Sequence, residues 1–192
     1  EFRRVLFRSV YDLVRKGTAR MVWGNHERKI TRWLDADFGR EFKGKISPGM
    51  AKTVDEIEAA AKNDPTFRDR FKARWRMLHS NSRQHFVNRE WLFTHGAASK
   101  SMWEMVGHSL GGIHANLAFF GEVDEATPMR EDGFPNRVYR WIDSIPGNHT
   151  VVVGHDPRSN SSPMVVTNDV GGRAIFLDTG SSKGGVLSCM TV

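Results

Sequence analysis

Three segments of this chain repeat one design, in which an apolar run stops at a glycine and a ligand-type side chain. They are Met21-Val22-Trp23-Gly24-Asn25-His26-Glu27, Trp91-Leu92-Phe93-Thr94-His95-Gly96 and Val151-Val152-Val153-Gly154-His155-Asp156. Short apolar runs bounded by turn signals read as buried strands. A glycine beside each polar residue lets the backbone turn sharply and approach its neighbours closely. In α/β sheets, functional groups gather where loops leave the carboxyl ends of strands. A single histidine after a strand is ordinarily a hydrogen-bonded loop residue. Three strand ends that each present an imidazole suggest a divalent-metal site, with the amide oxygen of Asn25 as a further ligand and hydrogen-bonded loop histidines as the alternative.

The rest of the pattern alternates helix and strand. Val10 to Lys16 is helical in spacing, with Gly17 as its stop. Ala19 to Trp23 reads as a strand, and Ile30, Trp33 and Leu34 then share a helical face. Phe38 to Gly49 is rich in turns. Thr53 to Lys62 reads as a helix capped by Thr53 with Glu56 three residues on. Phe67 to Leu78 reads as another, with Phe67, Phe71, Trp75 and Leu78 on one core-facing stripe. Phe86-Val87 and Trp91 to Thr94 are strand-like. Ser101 to Val106, Ile113 to Phe120 and Val138 to Ile145 are helical in spacing, and Gly121 to Asn136 is a loop. Strands are expected at Thr150 to Val153, Met164 to Thr167, Ala174 to Leu177 and Val186 to Val192. His79, His85, His108, His114 and His149 lack the strand-end context and read as surface or packing residues. The alternation makes the chain α/β.

Composition narrows the partners. The 192 residues are 39% hydrophobic and 26% charged, which suits a packed core. No run approaches a membrane span, and no secretory leader pattern is present. The single cysteine, Cys189, excludes an intramolecular disulfide and suits a reducing, cytoplasmic setting. Residues 1–9, Glu-Phe-Arg-Arg-Val-Leu-Phe-Arg-Ser, back-translate without mismatch to the end of a common sequencing adapter. They are expected to be a scar that stays out of the core, with the genuine domain over 10–192 and a helical insertion at about 50–80. Their three arginines and one glutamate account for +2 of the +6 net charge, leaving +4. That mild excess suits an anionic substrate. Acidic residues are interspersed throughout, which argues against a nucleic-acid partner, the reading otherwise suggested by the basic Phe67 to Leu78 helix.

The ordered motifs resemble a known family. Gly24-Asn25-His26-Glu27 is similar to the GNH(E/D) motif of the calcineurin-like metallophosphoesterases, Thr94-His95-Gly96 to their HG element and Gly154-His155 to their GH element. Leu177-Asp178-Thr179-Gly180 with Gly184-Gly185-Val186-Leu187 resembles the ending of the bacterial phosphoprotein-phosphatase-like branch. Pro157 stands where the wider family has a second histidine, which favours that branch. Lys45-Ile46-Ser47-Pro48-Gly49 resembles its symmetric dinucleoside-tetraphosphatase and polynucleotide kinase–phosphatase members.

The resemblance implies a sandwich of two mixed β-sheets flanked by helices, and a phosphatase with two divalent ions. Manganese comes first; iron, zinc, nickel and cobalt are alternatives. It assigns Asn25, His95 and His155 as metal ligands and His26 as the catalytic group that stabilises or protonates the leaving oxygen. Arg158 is a candidate for substrate phosphate, since guanidinium matches phosphate oxygens; a structural role is its alternative. The family's DxH and GDxxDRG motifs do not occur in the 192 residues. The expectation is therefore an N-terminally truncated, inactive form of a cytoplasmic phosphatase, missing its first strand or two. Its substrate would be a phosphoprotein or a nucleotide. A non-catalytic binding module on the same fold is the alternative from another class, although all four polar residues of the surviving motifs are in place.

Overall fold

The computed structural model describes residues 2–39, 41–124, 126–131, 133 and 135–191. Among them it forms five α-helices and two β-sheets, a mixed α/β architecture. The chain divides into two compact units, one of Glu1–Met21 with Asn25–Arg83 and the other of Val22–Gly24 with Gln84–Val192.

The first unit is helical. It contains α1 (Phe2–Arg15), α2 (Asn25–Asp35), α3 (Pro48–Asn63) and α4 (Phe67–Ser80). The short strands β1 (Met21–Val22) and β2 (Ser82–Arg83) belong to the smaller sheet, and β1 covers only part of the expected Ala19 to Trp23 run. Helix α1 stops as its glycine dictates: Gly17 takes φ +71°, and the Gly17 and Thr18 amides donate back to Val14 and Leu13. Trp33, Leu34, Met50 and Ile57 form the buried centre of this unit. The aromatic stripe of α4 packs beside them as a ladder, Phe67 on Phe71 and Phe71 on Trp75, with ring centroids 6.2 and 5.9 Å apart. The Trp75 indole N–H donates to Thr31 Oγ1 at 2.9 Å, which satisfies its polar atom inside the packing.

Two expectations change here. Helix α3 begins at Pro48 rather than Thr53, with Ser47 as N-cap. Proline at the first position carries a helical φ and lacks only an N–H that would go unpaired anyway. Thr53 is therefore interior, its hydroxyl donating back to the Gly49 carbonyl at 3.3 Å. At the other end of the unit, Phe7 is half-buried and stacks on Phe71 and Trp75 at 5.6 and 6.2 Å. The expectation that residues 1–9 stay out of the core is thus narrowed, since Phe7 rests on the aromatic ladder beside the buried centre without joining it; Glu1 lies outside the described residues.

The second unit is built on a five-stranded sheet in the order β3-β4-β5-β7-β6. Its strands are β3 (His85–Asn88), β4 (Trp91–Thr94), β5 (Thr150–Val153), β6 (Met164–Thr167) and β7 (Arg173–Phe176). The three central strands β4, β5 and β7 run parallel, and the outer pairs β3–β4 and β6–β7 are antiparallel. All four residues of β5 are buried, as a central parallel strand requires, whereas edge strand β6 is largely exposed. Helix α5 (Gly112–Phe120) contributes Ala118 to the core, together with Leu92, Met102, Trp141, Val151, Ala174 and Phe176.

Three of the shorter readings shrink or disappear. Ser101 to Val106 is only a 3₁₀ turn at Lys100–Trp103, and Val138 to Ile145 one at Arg140–Ser144. The expected last strand does not form over 186–191, and Val192 lies outside the described residues. There the chain is held through Thr179, whose hydroxyl donates to the Val186 carbonyl at 2.6 Å and pairs with Ser188 Oγ at 2.8 Å. A side chain thus takes up backbone capacity that a ladder would have used.

Candidate functional site

Parallel register brings two of the expected residues together. Leu92 pairs with Val151 and Phe93 with Val152, so β4 and β5 end nearly level, with His95 just beyond one and His155 just beyond the other. The ladder continues through the Gly154 amide, which donates to the His95 carbonyl at 3.0 Å. Strand β7 ends at the same edge: the Leu177 amide donates to the Val153 carbonyl, and Asp178 follows. There Asp178 Oδ1 accepts from the Gly180 amide at 2.8 Å, closing the turn in which Gly180 takes φ +68°.

The two glycines beside the histidines do different jobs. A Cβ on Gly96 would lie 2.4 Å from the Gly121 amide nitrogen and 2.6 Å from the Leu117 carbonyl oxygen. Here the close approach expected of the motif is real. It is sealed by Gly96 and Ala97 amides donating to Ala118 and Leu117 at 2.7 and 2.9 Å. A Cβ on Gly154 would meet nothing within 4 Å. Close packing therefore does not explain the second glycine.

His155 Nδ1 lies 2.9 Å from His95 Nε2, with the rings tilted at 61° and their centroids 4.7 Å apart. On its other side, His155 Nε2 is 2.6 Å from Arg137 Nη2. Arg137 also donates from Nη1 to the Phe120 carbonyl, and its backbone forms an isolated antiparallel bridge with Val123. Next along the chain, Tyr139 donates its hydroxyl to Asp156 Oδ2 and receives one hydrogen bond from Arg158 Nη1 at 2.5 Å. The Arg158 guanidinium sits 4.6 Å from the centre of the Tyr139 ring and 3.8 Å from Asp156 Oδ2. Burial, then the hydrogen bond to Asp156 and its negative charge, push the Tyr139 phenol above its ordinary range, against a smaller opposing pull from Arg158. The phenol is thus a fixed donor that ties Asp156 and Arg158 together.

The other two expected residues belong to the first unit. Asn25 and His26 open α2, Asn25 half-buried and His26 exposed. Arg137 and Tyr139 were not singled out by sequence. One arginine among 28 basic residues, between the loop expected to end at Asn136 and the helix expected from Val138, carries no periodic or motif signal.

The geometry of the histidine pair is compatible with a shared cation. Two nitrogens on adjacent corners of an octahedral ion, each at about 2.1 Å, stand roughly 3.0 Å apart, and the observed separation is 2.9 Å. Imidazole nitrogens are also suitable donors for a divalent transition ion. Among the described residues, no group of three or more His, Cys, Asp or Glu is arranged to hold a metal. The expected set differs in kind, being two imidazoles and an amide.

A comparison with known proteins gives a distant likeness. The chain is 25% identical to the asymmetrical bis(5′-nucleosyl)-tetraphosphatase PrpE of Halalkalibacterium halodurans, over 96% of this chain and 67% of that protein. No protein-family model matches the chain. No solved structure matches it. The distant likeness is to a hydrolase of a nucleotide substrate. Among the described residues, no helix is long and apolar enough to cross a membrane.

Proposed function

We propose that the chain is a metallophosphoesterase-type domain whose chemistry is the hydrolysis of phosphoanhydrides or phosphate monoesters, with a dinucleoside polyphosphate as the leading substrate class. The observation that carries the reading is the His95–His155 pair, two motif histidines separated by 60 positions yet 2.9 Å apart at the carboxyl edge of parallel strands. The order of the surviving motifs supports it, as does the likeness to a bis(5′-nucleosyl)-tetraphosphatase. A phosphoprotein substrate is the other reading that the motifs admit. The two-sheet metallophosphoesterase sandwich, a cytoplasmic location and the two-ion centre belong to this proposal.

His95 and His155 would hold one divalent ion, manganese first, with Asn25 added by the motif resemblance. Such ions, when bound, supply Lewis-acid polarisation of the phosphate and lower the pKa of an attacking water. Arg158 would bind a substrate phosphate oxygen. Its side chain is 38% exposed and retains donors beyond the one given to Tyr139, while Asp156 and Tyr139 hold the guanidinium in place. His26 would protonate the leaving oxygen, the role its place in the motif implies.

Binding of Mn²⁺ to the purified chain, followed by loss of the free-ion paramagnetic resonance signal, tests the centre. His95→Ala and His155→Ala should each abolish it while circular dichroism is unchanged. Unaltered Mn²⁺ binding in both variants refutes the site. Phosphate release from a bis(5′-nucleosyl) tetraphosphate and from a phosphopeptide, with Mn²⁺ present and with DxH and GDxxDRG motifs supplied in place of residues 1–9, then separates the substrate readings.

A further inference from the structure

Arg137 is the residue that no motif explains, and its position constrains a proton. A guanidinium has only donors and stays charged in proteins. The contact between Arg137 Nη2 and His155 Nε2 at 2.6 Å therefore requires a lone pair on that ring nitrogen. A neutral His155 then carries its hydrogen on Nδ1, the nitrogen that faces His95 Nε2 at 2.9 Å. The donor order becomes a chain: Arg137 donates to His155, and His155 donates to His95, whose own proton is left on Nδ1.

We infer that Arg137 is a positioning residue that fixes the tautomer of His155 and so closes the histidine pair by a hydrogen bond. To ligate a cation through Nδ1, His155 must move its proton away, and the alternative tautomer would aim an Nε2–H at the Arg137 donors. Metal-ligating histidines ordinarily direct their second N–H at an acceptor, a carboxylate, carbonyl or water. Arg137 supplies the opposite. Its place is fixed independently of His155, by the hydrogen bond to the Phe120 carbonyl and by the backbone bridge to Val123. Arg137 thus weakens cation capture by the resting pair, and capture is coupled to its guanidinium moving off the ring. The part of this inference that concerns cations rests on the proposed role of His95 and His155; the part that concerns the tautomer does not.

Two readouts on the full chain test it. The first is the long-range ¹H–¹⁵N spectrum of the histidine rings without added metal at pH 8, with His155 assigned by its loss in His155→Gln. The expected result is an Nδ1-protonated His155 in the parent chain and in Arg137→Lys, which keeps a donor. Arg137→Gln, whose amide oxygen can accept, should populate the Nε2-protonated form. An Nε2-protonated His155 in the parent, or an unchanged tautomer in Arg137→Gln, overturns the inference. The second readout is Mn²⁺ titration, in which Arg137→Gln should bind about tenfold more tightly than the parent, the low end of the range for outer ligand partners. Equal or weaker binding in Arg137→Gln overturns the coupling to cations. If neither protein binds Mn²⁺, the cation reading of the site fails, while the ring spectra still decide the role of Arg137.

Discussion

Replacing Gly96 with alanine should be among the most damaging single-methyl changes in the second unit. The added Cβ would meet the Gly121 nitrogen at 2.4 Å, the Leu117 oxygen at 2.6 Å and the Gly121 Cα at 3.1 Å, all backbone atoms that cannot swing aside. Relief requires the turn after β4 and the end of α5 to separate by about 1 Å, the shortfall from an ordinary contact. That movement acts on the two hydrogen bonds that join them, Gly96 to Ala118 and Ala97 to Leu117, at 2.7 and 2.9 Å. Their loss at about 1 kcal/mol each, with overpacking at about 1–3 kcal/mol, gives a cost of roughly 3–5 kcal/mol. With a urea slope of about 2 kcal/mol per molar, the unfolding midpoint should fall by about 2 M. Gly154→Ala is the matched control, because its Cβ enters open space and its φ lies outside the left-handed region. It should change stability by less than about 1 kcal/mol, with a slight gain from the stiffer unfolded chain the favoured direction. Urea titrations of the two variants beside the parent give both values. A cost under 1 kcal/mol for Gly96→Ala, or equal costs for the two, refutes the argument.

Three other outcomes are expected. Burial holds the His85 imidazole below its ordinary value, against smaller opposing effects of hydrogen bonds to the Met102 and Met105 backbone. Its unfolded form takes up a proton first as pH falls, so stability present above about pH 6.5 is lost below it; a urea midpoint that does not fall between pH 7.5 and 5, or falls equally in His85→Gln, contradicts this. Because Phe7 stacks on two rings, Phe7→Ala should cost about 1–2 kcal/mol by thermal unfolding, and a change below 0.3 kcal/mol would mean the stack contributes nothing. Under the proposed phosphatase function, with DxH and GDxxDRG motifs supplied in place of residues 1–9, His26→Asn should keep bound metal and lose about 10²- to 10⁴-fold in turnover. Parallel loss of metal, measured by elemental analysis, would make His26 a ligand instead.

The legible parts of the fold were those where one signal dominates. Val151-Val152-Val153 between turn residues reads as a buried strand, and the structure makes it the fully buried β5. The same regularity placed Phe71 and Trp75 on one face of α4. The misread boundaries depend on competition between neighbours. Thr53 looks like a cap only if Pro48 is not already one turn ahead, and Val186 looks like a strand only if Thr179 does not take its carbonyl. At the candidate site, the glycine–histidine pattern located His95 and His155, because a strand end must deliver them to one edge. Arg137 and Tyr139 reach that edge through irregular backbone, and no periodicity predicts where such a segment returns.

The parallel register of β4 and β5 also has an entropic consequence. Bringing together two side chains separated by 60 positions costs a free chain about 3.6 kcal/mol from loop closure, apart from a constant term. In this protein the sheet has already absorbed that cost before any ligand arrives, so a species that bridges the two imidazoles need not gather them. The same arithmetic works in reverse. Such a species loses its preassembled seat when β5 leaves the sheet, so its binding energy becomes resistance of that particular strand pair to opening.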